Sequence, residues 1–208
     1  MAPLETVDAY PVDLSVDYED GTRNRLTVGF RILTTLPIFV VLALLSSGSV
    51  NSGYWSFCGA GVLFLPTLLM LVFRRKYPGW WFDFNFNTVR FSNRVFAYLL
   101  ILRDEYPSTD EEQAVHVTLP DPQGGALLNR WLPLVKWFLA IPHYIVLFFL
   151  GIAGIVVSVL GWFVVLLTGR YPRSFHDFVV GIMRWSLRVQ AYALVLVTDR
   201  YPPFQLRQ

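Results

Sequence analysis

Two stretches almost free of charge constrain this chain more than any other feature. No side chain between residues 32 and 73 is charged, and between residues 132 and 168 the only charge is Lys136, with histidine neutral. A run of about 20 apolar residues is enough to cross a bilayer. Each stretch has room for two helices. The expected spans are 26–45 and 54–73, joined by the polar SSGSVNSG, and then 132–150 and 152–167 with almost no loop. The second pair is short for two full crossings, so a re-entrant hairpin and one long tilted helix both stay open. Composition agrees: 54% of the 208 residues are hydrophobic and 15% are charged, against roughly 25% charged in an ordinary soluble domain. The fold class expected is an α-helical integral membrane protein with about four transmembrane helices. The N-terminal residues lack the basic start and early apolar core of a signal peptide, and position 2 is Ala2, not the glycine of a myristoylation signal.

The sequence also says nearly everything twice. RILTTLPIFVV (31–41) aligns with KWFLAIPHYIV (136–146), pairing Pro37 with Pro142. RRKYPGWWFDF aligns with TGRYPRSFHDF, pairing Tyr77-Pro78 with Tyr171-Pro172 and Asp83 with Asp177. Arg90, Ser92, Arg94, Ala97 and Tyr98 pair with Arg184, Ser186, Arg188, Ala191 and Tyr192. After one inserted residue, Asp104 and Tyr106-Pro107 pair with Asp199 and Tyr201-Pro202. A tandem duplication is the expectation. It divides the chain into an acidic N-terminal strand segment (1–25), a first unit (26–107), a linker with a strand (108–130) and a second unit (131–208).

Within each unit the order is the same. Val12, Leu14 and Val16 alternate with Asp13, Ser15 and Asp17, and Val115, Val117 and Leu119 alternate with His116 and Thr118; both are strand periodicity. The apolar segment follows, and then a stretch opened by Tyr-Pro. In FHDFVVGIMRWSLRV, Asp177, Gly181, Arg184 and Arg188 share one helical face, which predicts an amphipathic helix lying in the membrane interface. From Arg184 to Gln190 polar and apolar residues also alternate strictly. The expectation is a helix that gives way to a strand near Val189, with the later strands and the two N-terminal runs forming a small cytoplasmic sheet. Short apolar runs read equally as helix or strand, so residues 90–102 and 184–197 stay open between the two. Pro37 and Pro142, inside their expected helices, should kink them.

Basic residues set the expected orientation. Arg23, Arg25 and Arg31 precede the first apolar stretch, and Arg74, Arg75 and Lys76 follow it. Arg130 and Lys136 open the second, and Arg170 and Arg173 close it. Both termini and the segment between the units are therefore expected on the cytoplasmic side of a multi-pass protein, with parallel, not inverted, units.

The signatures IPHYIVLFFLG, TGRYPRSFHDFVVG, MRWSLRVQAYA and TDRYPPF resemble a family of bacterial membrane proteins, the domain-of-unknown-function family 4389. The second unit carries the pattern most fully, and the first is a diverged copy, with RRKYP for TGRYP and RDEYPS for TDRYPPF. The resemblance implies a bacterial integral membrane protein of the cytoplasmic membrane and no particular activity.

No chemistry announces itself. His116, His143 and His176 show no metal-ligand spacing and have no cysteine companions, so no metal and no cofactor is expected. Cys58 is read as a packing residue. GIAGIVVSVLG is not a nucleotide fingerprint; Gly151, Gly154, Ser158 and Gly161 instead recur at helical spacing, as in a helix-packing face, internal or toward another subunit. No catalytic residue is nominated. Asp83 and Asp177, the best acid–base candidates, are expected to partner arginines of their own units, such as Arg90 or Arg184. All but Lys76 and Lys136 of the 17 basic residues are arginine, which suits phosphate headgroups and internal ion pairs alike; Asp83, Arg90, Arg94, Asp177, Arg184 and Arg188 are the headgroup or ion-pair candidates.

The leading functional expectation is a non-enzymatic accessory or scaffold subunit of a larger membrane assembly. Its expected partners are the lipid bilayer and other proteins or further copies of itself, with no nucleic acid. Lipid binding or membrane shaping through interfacial arginines is the first alternative, and an oligomeric channel or transporter the second.

Overall fold

A computed structural model of the chain describes residues 10–46 and 61–207. The elements run β1 (Asp13–Val16), α1 (Arg25–Gly29), α2 (Arg31–Ser46), α3 (Gly61–Leu69), a π-helical turn (Met70–Arg74), α4 (Gly79–Leu99), β2 (Val115–Thr118), a short 3-10 turn (Gln123–Gly125), α5 (Pro133–Leu139), α6 (Ile141–Thr168), α7 (Arg173–Gln190) and a second π-helical turn (Ala191–Val195). The chain is mostly helical. Part of the expected 54–73 span, and Cys58, lie outside the described residues.

The two alternating runs are strands, and they pair with each other. β1 and β2 form an antiparallel two-stranded sheet with Asp13 opposite Thr118 and Val16 opposite Val115. Their alternation turns Val12, Leu14, Val16 and Val115 into the core, where each is at most 7% exposed. Burying such side chains is worth about 1.5–3 kcal/mol each. β1 packs on α7 and β2 packs on α4.

Among the described residues one helix, α6, is long and apolar enough to cross a membrane. Its 28 residues make about 42 Å at 1.5 Å per residue. It passes through Gly151 without interruption, so the break expected between 150 and 152 is absent and the long-helix alternative holds. No proline follows Pro142 until Pro172, so nothing in between removes a donor from the helical ladder. Gly169 then stops the helix in the left-handed conformation (φ 74°). Pro142 lies in the first turn of α6, just after the junction at Ala140, where a missing N–H costs nothing. It therefore marks a break between α5 and α6 and does not kink one helix. Pro37 does lie inside α2, as expected, and Pro66 lies inside α3.

No strand forms after Val189. Residues Arg173–Gln190 are helical, a π-helical turn carries the chain to Val195, and α4 likewise runs helical to Leu99. Packing decides against the alternation: Trp185, Val189 and Tyr192, four and three residues apart, enter one core cluster, whereas a strand would send Tyr192 to the opposite face. Both stretches end on a bulky residue in the left-handed region, Ile101 (φ 63°) and Leu196 (φ 61°). That conformation costs a non-glycine residue about 1–2 kcal/mol. At these ends the backbone is held by Leu102 N–H donating to Ala97 O (2.9 Å) and Val197 N–H donating to Ala191 O (3.1 Å).

The layers are now clear. α6 is apolar and largely exposed, α7 packs against it, and β1 covers α7. On the other side α2 packs on α4, and α4 carries β2.

Candidate functional site

Two buried cations organise the molecule. Lys136, on α5, is fully buried, and its Nζ lies 2.6 Å from Asp199 Oδ1. The ammonium also donates to Thr198 O at 2.7 Å and sits 5.1 Å from the Tyr192 ring centroid. Asn129 N–H donates to the other carboxylate oxygen at 2.6 Å. Arg31, at the start of α2, is 2% exposed and pairs with Asp104. Its guanidinium lies 4.5 Å from the Tyr98 centroid. Arg23 adds a second cation 3.7 Å from Asp104 and donates to Leu102 O at 2.8 Å. So at sequence-aligned positions, 31 with 136, 98 with 192 and 104 with 199, the same three chemical types meet: cation, tyrosine ring and carboxylate.

The arginines on α7 face protein. Arg184 Nε donates to Leu14 O (2.8 Å) and lies 3.0 Å from Asp13 Oδ1. Arg188 Nε donates to Val12 O (3.2 Å), and its NH2 lies 3.5 Å from the same oxygen. Their NH1 groups donate to Leu206 O and Arg207 O. Together they bind the outer edge of β1 and the C-terminal tail. Burial pulls the Arg188 pKa down and Asp13 pulls it back; an arginine stays charged under either influence.

Arg90 and Arg94 on α4 differ. Arg94 NH1 donates to Ser108 O at 2.8 Å and Arg90 NH2 to Thr109 O at 3.3 Å. Neither has a carboxylate within ion-pair distance among the described residues. An open groove of about 520 Å³ lies beside them, lined by Ile38, Val41, Phe91, Tyr106, Ser108 and Glu111 among others.

The remaining candidates fall out as follows. Asp83 and Asp177 are both exposed, and neither forms an ion pair with Arg90 or Arg184. Asp177 accepts from the neighbouring His176 Nδ1 at 3.3 Å. The partner of Arg184 is Asp13, which sequence reasoning passed over because it lies in another part of the chain. His176 is 3% exposed, edge-on to Tyr18 at 5.2 Å, and burial holds its pKa below the ordinary histidine value, with Asp177 opposing. His143 is fully buried; its Nδ1 accepts from Trp185 Nε1 at 3.1 Å and its ring stacks on Phe204 at 3.9 Å. His116 is exposed beside Asp17. No group of metal-ligating side chains comes together among the described residues.

The small-residue face points inward. Gly154, Ser158 and Gly161 are buried against α7 and the Tyr171 ring, while Gly151 faces open space. A Cβ at Gly154 would stand 3.1 Å from Ile182, and one at Gly161 would collide with Tyr171. Tyr171 is itself 2% exposed, and burial pushes its pKa up to about 12.

The described residues define a largely helical architecture with one membrane-length apolar helix laid on an amphipathic helix and a small sheet. Residues 131–205 match the model of a family described as a domain of unknown function, DUF4389. The matched stretch holds α5, α6, α7 and Asp199, and stops short of Leu206. No curated protein and no solved structure matches the chain.

Proposed function

We propose that the chain is a non-enzymatic integral membrane protein, built by duplication of one unit, that serves as an accessory or scaffold subunit of a membrane assembly in the bacterial cytoplasmic membrane. One observation carries the reading. The outward surface of α2, α3, α5 and α6 and their flanks is largely apolar, with Leu26, Phe30, Leu33, Phe73, Phe148 and Leu167 each at least 60% exposed, while the cations Arg31, Lys136 and Arg188 are turned inward onto carboxylates of the same chain. Exposed apolar area on this scale belongs against lipid or protein, and ionisable groups held in structural pairs are poorly placed for turnover. The matched stations at Arg31 and Lys136 support the duplication. The test is gentle extraction from native membranes followed by a native gel and mass spectrometry. Other proteins in fixed ratio with this chain are expected; a lone monomer overturns the accessory role.

A second reading has its own observation. Arg90 is half-buried, has no carboxylate partner and donates to Thr109 O beside an open groove, so lipid-headgroup binding is argued there rather than at the ion-paired Arg184 and Arg188 or the buried Arg94. Flotation with anionic liposomes tests it: Arg90→Gln should lower binding, and unchanged flotation removes the reading. The channel reading has no comparable observation in its favour.

A further inference from the structure

We propose that α6 does not cross the bilayer but lies along the membrane plane within one leaflet, with α7 and the β-sheet stacked above it on the water side. The proposal rests on membrane residence and is independent of the accessory role.

The first ground is the path of α7. It follows α6 back along most of its length. Trp185 meets His143 near the start of α6, Ile182 meets Gly154 in the middle, and Tyr171 meets Gly161 toward the end. From position 143 to position 161 is about 27 Å of helix at 1.5 Å per residue. Whatever orientation α6 takes, α7 takes too.

The second ground is what α7 carries. β1 lies along its other side: Arg188 holds Val12 O, Arg184 holds Leu14 O, and Tyr18 donates to Tyr171 O at 2.6 Å. On the sheet's water-facing side Asp17, His116 and Thr118 are exposed. Hydrocarbon does not tolerate uncovered carboxylates. An upright α6 would bring this hydrated sheet to the same depth as its own middle. A flat α6 keeps the sheet in water.

The third ground is charge. Arg130 precedes α5 and α6, and Arg170 and Arg173 follow them. Arg23 N–H donates to Gly169 O at 2.8 Å, which brings exposed Arg25 to the same end. Basic residues favour one side of the membrane. One continuous helix with basic residues at both ends satisfies that preference only if both ends stay on the same side. Trp131 and Trp137, both more than half exposed at the α5 end, suit the headgroup boundary.

The first half repeats the arrangement. α4 follows α2 back, with Tyr98 bonded to Thr34 at one end and Phe91 and Val95 packed with Ile38 and Leu42 further along, and β2 rides on α4. The occupant of the exposed α6 face is therefore the acyl chains of one leaflet.

The test uses full-length single-cysteine variants in a Cys58→Ser background: Ala126→Cys before α5 and Ser174→Cys after α6, both exposed. They are reacted with a membrane-impermeant maleimide in sealed vesicles of either orientation. Labelling of both from the same face is expected; labelling from opposite faces overturns the proposal while leaving membrane residence intact. Spin labels at Phe148→Cys, Ile155→Cys and Leu167→Cys, in variants that keep the native elution volume, supply the second readout. A flat depth profile across the three is expected. A profile deepest at position 155, or suppression of oxygen collision at all three by a covering protein, overturns it. Loss of the chain from the membrane pellet would instead overturn membrane residence itself.

Discussion

Lys136 and Asp199 form a nearly sealed ion pair, 2.6 Å between Nζ and Oδ1, with the lysine side chain at 0% exposure and the aspartate at 25%. Removing one charge of such a pair leaves the other buried and uncompensated, which costs about 3–5 kcal/mol in a closed site. The partly wet aspartate argues for the lower end. Asp199→Asn should therefore destabilise by about 3 kcal/mol, and Lys136→Met combined with Asp199→Asn should recover part of the loss. Thermal unfolding in detergent reads both. Equal melting of wild type and Asp199→Asn would mean that water reaches the pair.

Asp13 neutralises two arginines and fastens β1 to α7. Asp13→Ala should destabilise by about 2 kcal/mol, because two guanidiniums lose their carboxylate while their bonds to Val12 O and Leu14 O persist. Amide exchange at residues 12–16 should quicken more than exchange in α6. Uniform exchange would show that the carbonyl bonds alone hold the strand.

The glycines of α6 separate inner from outer faces. Gly161→Ala forces the buried Tyr171 ring to move and should cost about 1–3 kcal/mol. Gly151→Ala meets nothing within 4 Å and should be tolerated. If Gly151→Ala proved as harmful in native membranes but harmless in detergent, a partner would lie on that side.

His176 gives a pH dependence of known sign. Its folded pKa is depressed by burial, so the unfolded chain takes up a proton first, near the ordinary value of about 6.5. Stability from this group is complete above that pH, falls as pH drops through it, and levels off below the folded pKa. His176→Gln should flatten the slope of the unfolding midpoint below pH 7. An unchanged slope would assign the acid sensitivity to other groups.

Much of this was legible before the structure. The alternation of Val12, Leu14 and Val16, and of Val115 and Val117, named the two strands, because half-buried strands show their period locally. The Tyr-Pro pairs marked the starts of α4 and α7, since a proline fixes the first turn. The strand expected after Val189 failed because ALVLV suits either state, and contacts with distant side chains decided it. The ion pairs were half visible. Arg31 aligned with Lys136 and Asp104 with Asp199, yet partners 73 residues apart meet only through tertiary packing. Asp13, remote from Arg184, left no local trace at all.

The strands sit crosswise to the order of the chain. β1, which precedes the first apolar segment, covers the helix after the second; β2, which precedes the second, covers the helix after the first. The two ends of the molecule are thus clasped like interlocked hands. The stretch from 131 to 205 does not close on itself: cut out alone, it would present Arg184 and Arg188 to a missing strand. Swapping one half of such a chain for a relative's would require carrying the other half's strand along with it.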